Sequence, residues 1–230
     1  ETGYTRFNQL NESEDIKMDI LETMKARHSV RQYKNQAIES SKREKINALI
    51  KDVNAESKLS IQVFYDEPKC FDSFMAHYGK FENVKNYIAI VGNKNDQEKA
   101  GYYGEKIVLK CQKLGLNTCW VAMTHGKSKA QIKRGQKLLI IISLGYGETQ
   151  GVPHKSKSIA ELGQADQKNE WFEKGMEAVS LAPTAVNQQK FYFELKNGIV
   201  TAKNLGGFYS RIDLGIVKYH FEAVTGHEVK

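Results

Sequence analysis

Two arginines, a histidine and a serine crowd one short stretch, ARHSVRQY from Ala26 to Tyr33, as Arg27, His28, Ser29 and Arg31. A guanidinium is a planar fork of donors that matches phosphate or carboxylate, and a serine hydroxyl adds a short-reach partner beside it. The chemistry such a cluster could do is to hold an anion. A solvated, mildly basic helix terminus has the same residues, and the cluster alone does not separate the two readings.

The rest of the chain narrows the choice. Its 230 residues, 40% hydrophobic and 10% aromatic, can bury one sizeable core or two closely joined halves. Three prolines and a charged fraction of 27% predict regular secondary structure under a heavily solvated surface. The net charge of +7 and pI near 9.1 favour anionic ligands. Lysines are spread along the whole chain, with no RNP-like aromatic pair, metal-finger spacing or basic block, so no nucleic-acid partner and no metal are expected. Cys70, Cys111 and Cys119 form no C-x-x-C, which predicts a reducing, cytoplasmic compartment with the thiols as small core hydrophobes. The longest apolar run, LLIIISL from Leu138 to Leu144, is too short to cross a bilayer and reads as a buried strand, so no membrane is expected. Residues 1–17 lack the apolar core of a signal peptide, and Met18 reads as a natural start. They are expected to be an appended or loosely ordered leader outside the fold.

The elements that must carry the cluster can be read from periodicity. A helix is expected from Met18 to about Lys25, then the ARHSVRQY loop, then a second helix from Ser41 to about Val53. Ser41 could cap that helix, with Glu44 completing a capping box. LSIQVFYDE alternates like a half-buried strand, a short helix is expected around Asp72 to His77, and Tyr87 to Gly92 is a further strand. GYYGEKIVLKCQKLGL reads as a helix closed by Gly115, and LLIIISLGYG as a strand. A shift of 130 positions lays Ile46–Glu67 on Met176–Asn197, and Gly104 to Gly115 is echoed by Gly215 to Gly226. These echoes suggest an internal duplication. The first half has the Arg-x-Ser-x-Arg cluster and the second the polar loop LAPTAVNQQ, so one composite site is the economical inference.

ARHSVRQY, LGLNTCWVAM (Leu114 to Met123), LIIISLGYGE and KSKSIAEL (Lys155 to Leu162) follow in an order that resembles the FMN-dependent nitroreductase family. APTAVNQQKF (Ala182 to Phe191) resembles its A-P-S-x-x-N-x-Q-P-W signature. That loop lies nearer the C-terminus than in most members. The arrangement is similar to a smaller branch in which one chain carries a duplicated half and mimics the family's usual homodimer. The resemblance covers most of residues 18–230. It implies an α+β nitroreductase-like fold, a mixed sheet flanked by helices in two related halves, residues 18–162 and 163–230, the second completing the flavin site. It further implies FMN as cofactor, NADPH or NADH as electron donor, a small-molecule acceptor such as a nitroaromatic or quinone, and a monomeric pseudo-dimer or a homodimer. A protein that binds or senses flavin without turnover would have the same residues.

Site roles follow from that resemblance and from the chemistry of FMN. Arg27 and Arg31 suit the phosphate dianion, and the family's basic pair adds Lys155 and Lys157, which read equally as surface charge. Ser29 and His28 would meet the phosphate, the ribityl hydroxyls or the flavin's polar edge, and His28 suits a structural loop donor as well. Asn187 and Gln189 offer amides for the pyrimidine edge of the isoalloxazine, with Pro183, Thr184 and Ala185 shaping the turn that presents them. The backbone of Val121, Ala122, Met123 and Thr124 would pass close to flavin N5, where an N–H stabilises developing negative charge. The side chains of Trp120 and Met123 read chiefly as core. Tyr102 and Tyr103 read as pocket wall or packing. No catalytic side chain is expected, because the cofactor carries the electron transfer. Lys190 and Phe191 depart from the signature's proline and tryptophan and leave the loop's path open.

Overall fold

A computed structural model of the chain describes residues 19–230. The expected leader and the start at Met18 lie outside the described residues. Helix α1 (Ile20–Ala26) buries Leu21, Thr23 and Met24, and ends where Arg27 turns to an extended backbone. The chain then runs alongside strand β3 (Asn117–Val121). Ser29 bridges Thr118, and Val30 N donates to Thr118 O at 3.0 Å. The Arg27–Arg31 segment is therefore fastened to a sheet.

That sheet has four strands. It consists of β1 (Ser60–Phe64), β2 (Asn86–Gly92), β4 (Lys137–Gly145) and β3 in the order β1-β2-β4-β3, and all neighbours are antiparallel. Every residue of β2 is buried, which suits a central strand covered on both faces. Helix α2 (Ser40–Ser57) precedes β1, and the short α3 (Phe74–Tyr78) lies on the excursion between β1 and β2. A smaller sheet, β5 (Gly163–Ala165), β6 (Phe191–Lys196) and β7 (Ile199–Asn204), pairs parallel and then antiparallel. The fold is thus α+β with mixed pairing, as expected.

Helices α4 (Gln97–Lys113) and α7 (Ser210–Thr225) cross through glycine. A Cβ on Gly101 would lie 2.0 Å from Ile212 O, and one on Gly215 would lie 1.8 Å from Glu98 O. Each carbonyl sits three residues before the glycine on its own helix, so the crossing is quasi-symmetric. Helix α6 (Glu170–Ser180) packs on α7, with Gly175 making room for Phe221. Helix–strand order also recurs under the 130-residue shift, as α2–β1 and α6–β6.

Three local expectations change. The second helix starts at Ser40 with Glu39 as its cap and no side-chain cap bond, so Ser41 falls inside the first turn and cannot cap. The capping box lies instead at Ser158 and Glu161, opening α5 (Ile159–Leu162). Helix α4 begins at Gln97, before the glycines that were read as its start, because Gly101 is needed inside it for the α7 contact. No helix among the described residues is long and apolar enough to cross a membrane.

Candidate functional site

A cavity of about 520 Å³ opens where segments from both ends of the chain meet. The 27–33 segment supplies Ser29 and Arg31, and the exit of β3 supplies Ala122, Met123 and Thr124. The loop after α6 adds Pro183, Thr184 and Ala185. The structure thus brings eight of the expected residues into one place. Trp120, Ile140, Ile212 and Ile216 give the cavity an apolar lining.

Other expected residues lie apart from its wall. Val121 is buried in β3 and pairs with Ile141. His28 is half-buried, and burial followed by the neighbouring Arg27 charge pushes its pKa down. Lys155 and Lys157 are exposed. The amides of Asn187 and Gln189 are engaged with the segment carrying those lysines. Asn187 Nδ2 donates to Lys155 O at 2.9 Å, Gln189 Nε2 donates to the same oxygen at 3.0 Å, and Lys157 N donates to Gln189 Oε1 at 2.8 Å. In this structure they hold a strap in place. Tyr102 and Tyr103 also lie away from the cavity, donating to Glu222 and Glu56.

Arg27, also expected at the site, is 3% exposed and is not among the residues that line the cavity. Its Nε has no hydrogen-bond partner among the described residues, and it lies 3.9 Å from Glu105. Burial lowers its pKa, and the Glu105 charge opposes that shift. A buried Nε–H is costly unless something accepts from it. Arg31, by contrast, is exposed and sits over the Phe81 ring at 5.9 Å.

The loop from Pro183 to Gln189 is held in an unusual path. Val186, Asn187 and Gln189 have φ of 47°, 53° and 46°, in the left-handed region that a β-branched residue rarely visits. Such positions cost about 1–3 kcal/mol each and persist only where neighbours over-determine them. Asp213, in the first turn of α7, is that neighbour. Its carboxylate accepts from Ala185 N at 2.9 Å and from Gln188 Nε2 at 2.7 Å, and Gln188 also donates to Phe208 O at 2.6 Å. Burial pushes the Asp213 carboxyl up to about 6, against the two hydrogen bonds.

Sequence reasoning missed Asp213, Phe208, Tyr209 and Tyr78, which all line the cavity. Tyr209 spans it, donating to Ala122 O at 3.3 Å. A signal for Phe208 and Tyr209 existed in NLGGFYS, where Gly206 and Gly207 (φ +80° and +125°) mark a turn before a helix. Asp213 had none beyond an acidic residue near a helix N-terminus. Among the described residues, no group of three or more His, Cys, Asp or Glu could hold a metal ion.

A protein-family model described as "Putative TM nitroreductase" matches residues 19–225. Among solved structures, a "putative nitroreductase" from Thermotoga maritima MSB8 is 24% identical, with a TM-score of 0.65 over 90% of this chain and 83% of that one. An FMN-dependent nitroreductase from Clostridium difficile R20291 is 22% identical and aligns with 61% of this chain and 92% of its own, at a TM-score of 0.45. A Desulfovibrio desulfuricans protein solved with FMN is 15% identical and aligns with 63% of this chain and 94% of its own, at 0.49. No curated protein matches. The family match spans nearly all of the described chain, and the Thermotoga maritima structure shares its fold; the chain belongs to this nitroreductase family.

Proposed function

We propose that the protein is an FMN-dependent oxidoreductase of nitroreductase type, reduced by NADH or NADPH and passing electrons to a nitroaromatic, a quinone or a similar small acceptor. One observation carries the reading. The buried Arg27, its Nε unpartnered, lies in the same segment as Ser29 and Arg31, and that segment meets the 183–185 loop at one apolar-lined cavity. FMN has the two features this arrangement fits, a phosphate dianion and a flat tricyclic ring. Arg27 is suited to the phosphate, with Arg31 and Ser29 as further donors and Lys155 and Lys157 adding positive charge from the segment that Asn187 and Gln189 hold.

When bound, FMN supplies a two-electron redox centre, and the protein is left with placement and electrostatics. The backbone of Ala122, Met123 and Thr124 at the β3 exit is suited to stabilising negative charge on the ring. Trp120, Ile212 and Ile216 keep water from one side of the cavity. Asp213 fixes the 183–189 loop, so its effect on the cofactor passes through that loop. All three cysteines are free and buried, which is compatible with the reducing cytoplasm proposed for this chain.

Anaerobic mixing of the FMN-loaded protein with NADH and with NADPH tests the reading. Bleaching of the flavin absorption band, followed by recovery on adding a quinone, is the expected result. A protein that holds FMN but bleaches with neither donor would instead be a flavin-binding or sensing module.

A further inference from the structure

Behind the cavity wall, Glu105 of α4 is completely buried and meets donors from three other elements. Its Oε2 accepts from the indole Nε1 of Trp120 at 2.9 Å. Its Oε1 lies 2.9 Å from Nε2 of His220, on α7, and 3.9 Å from Nε of Arg27. His220 is also completely buried, and its Nδ1 is 2.8 Å from Ala178 O.

Hydrogen placement follows from the partners. A carbonyl oxygen only accepts, so Nδ1 of His220 carries a hydrogen. An indole only donates, so Glu105 is the acceptor toward Trp120, while toward Arg27, at 3.9 Å, it offers its charge without a hydrogen bond. Burial raises the Glu105 carboxyl, but the His220 hydrogen bond and charge, the Arg27 charge and the Trp120 bond outweigh it and hold the group below the usual range. With the Nδ1 hydrogen given to Ala178 O, one further hydrogen lies between Nε2 of His220 and Oε1 of Glu105 and joins the two side chains. Tyr219 on α7, Cys119 on β3, and His28 and His154 beside Arg27 are the other titratable groups around them.

A buried ion cluster is a weak source of stability, because desolvation offsets most of its Coulombic gain. What it supplies is direction. We propose that Glu105 is the positioning residue of this site: one carboxylate sets the plane of the Trp120 indole in the cavity wall and aims the Arg27 guanidinium, while His220 locks the carboxylate by donating the proton between them. The geometry stands by itself. Its consequence for cofactor affinity rests on the flavin reading above, because Arg27 is the group assigned there to the phosphate.

Glu105→Gln separates aim from packing. The amide oxygen can still accept from Trp120, and the amide nitrogen can donate to a neutral His220 that keeps its Nδ1 hydrogen. Every hydrogen bond is then retained while the charge beside Arg27 is gone. In the ligand-free protein, nitrogen NMR should show both His220 ring nitrogens protonated, with Nε2 alone losing its proton in Glu105→Gln. The Trp120 indole N–H signal, read in a Trp171→Phe background, should stay near its place in Glu105→Gln and move in Glu105→Leu. Titrations with FMN and riboflavin complete the test. Glu105→Gln should lower the FMN-to-riboflavin affinity ratio by about tenfold or more, the scale of one charge-assisted hydrogen bond, with riboflavin affinity little changed.

A neutral His220 in the unaltered protein would overturn the proposal. So would an unchanged or increased affinity ratio, an increase meaning that Glu105 merely competes for the Arg27 charge. If the unaltered protein binds neither flavin, the flavin reading fails, and the His220 and Trp120 spectra still decide the brace.

Discussion

Asp213 shows how one side chain can tie the path of a cavity loop to pH. Its carboxyl is pushed up to about 6 from an ordinary 3.8, chiefly by burial, so the folded state holds its proton over a range where the unfolded chain has released it. The sign follows directly. The stability this group contributes is complete below about pH 4 and is lost as pH rises through about 6. A shift of this size corresponds to roughly 2–3 kcal/mol at most. Asp213→Asn removes the titration and keeps an acceptor for Ala185 N. Denaturant unfolding at pH 4.5 and pH 7 should therefore show the unaltered protein losing more stability than the variant on going to the higher pH. Parallel profiles would refute the assignment. At this scale legibility depended on whether a residue's partner was local. Ser29 and Arg31, which line the cavity, could be picked out because they sit in one short cluster whose types and spacing stand out in the sequence. Asp213 could not, because its role is set by Ala185 and Gln188, which are distant in sequence.

Helices α4 and α7 are the elements on which the site depends, since Glu105 and His220 face each other across their contact. Gly215→Ala would put a methyl group 1.8 Å from Glu98 O, a backbone atom that moves only if the helices separate. The expected cost is about 1–3 kcal/mol or somewhat more, as for other overpacked sites. Gly135→Ala is the control, because φ is +85° there and nothing lies within 4 Å, so only backbone strain of about 1 kcal/mol applies. Urea unfolding of the two variants should rank them in that order, and equal costs would show that the helix crossing can yield. The strap carrying Lys155 and Lys157 offers a second test of an element. Gln189→Ala removes the acceptor of Lys157 N and one donor to Lys155 O, so trypsin should cut after these lysines several-fold faster; unchanged cleavage would mean that Asn187 suffices. Strands β2 and β4 could be read in the sequence because central strands are continuously apolar. The start of α4 could not, because a glycine used for helix–helix contact looks locally like a glycine that ends a helix.

Over the whole molecule, α4 and α7 cross quasi-symmetrically, each glycine facing a carbonyl three residues before the other glycine. Gly101 and Gly215 are 114 positions apart, whereas the helix–strand echo has a shift of 130. The two registers differ because the connections differ. The 65–85 excursion between β1 and β2 carries α3 and brings Tyr78 to the cavity, while β6 and β7 are joined by the tight turn Asn197–Gly198, with φ of 51° and 75°. An excursion on one side only shifts the register by its own length, so no single sequence shift aligns both the helix–strand echo and the α4–α7 glycines. The proposed halves, residues 18–162 and 163–230, then divide the work. The first provides Ser29 and Arg31, and the second provides Pro183 to Ala185 and Asp213. A site built once from unlike halves predicts one FMN per chain of 26.1 kDa, with no second subunit needed to complete it. Sedimentation velocity of the FMN-loaded protein, followed at the flavin band and at 280 nm, should show a single-chain species carrying one flavin at micromolar concentration. Dimerisation with each chain keeping its own flavin would leave this account intact. An obligate dimer that loses its flavins on dissociation would place the second half of each site on the partner and refute the single-chain arrangement.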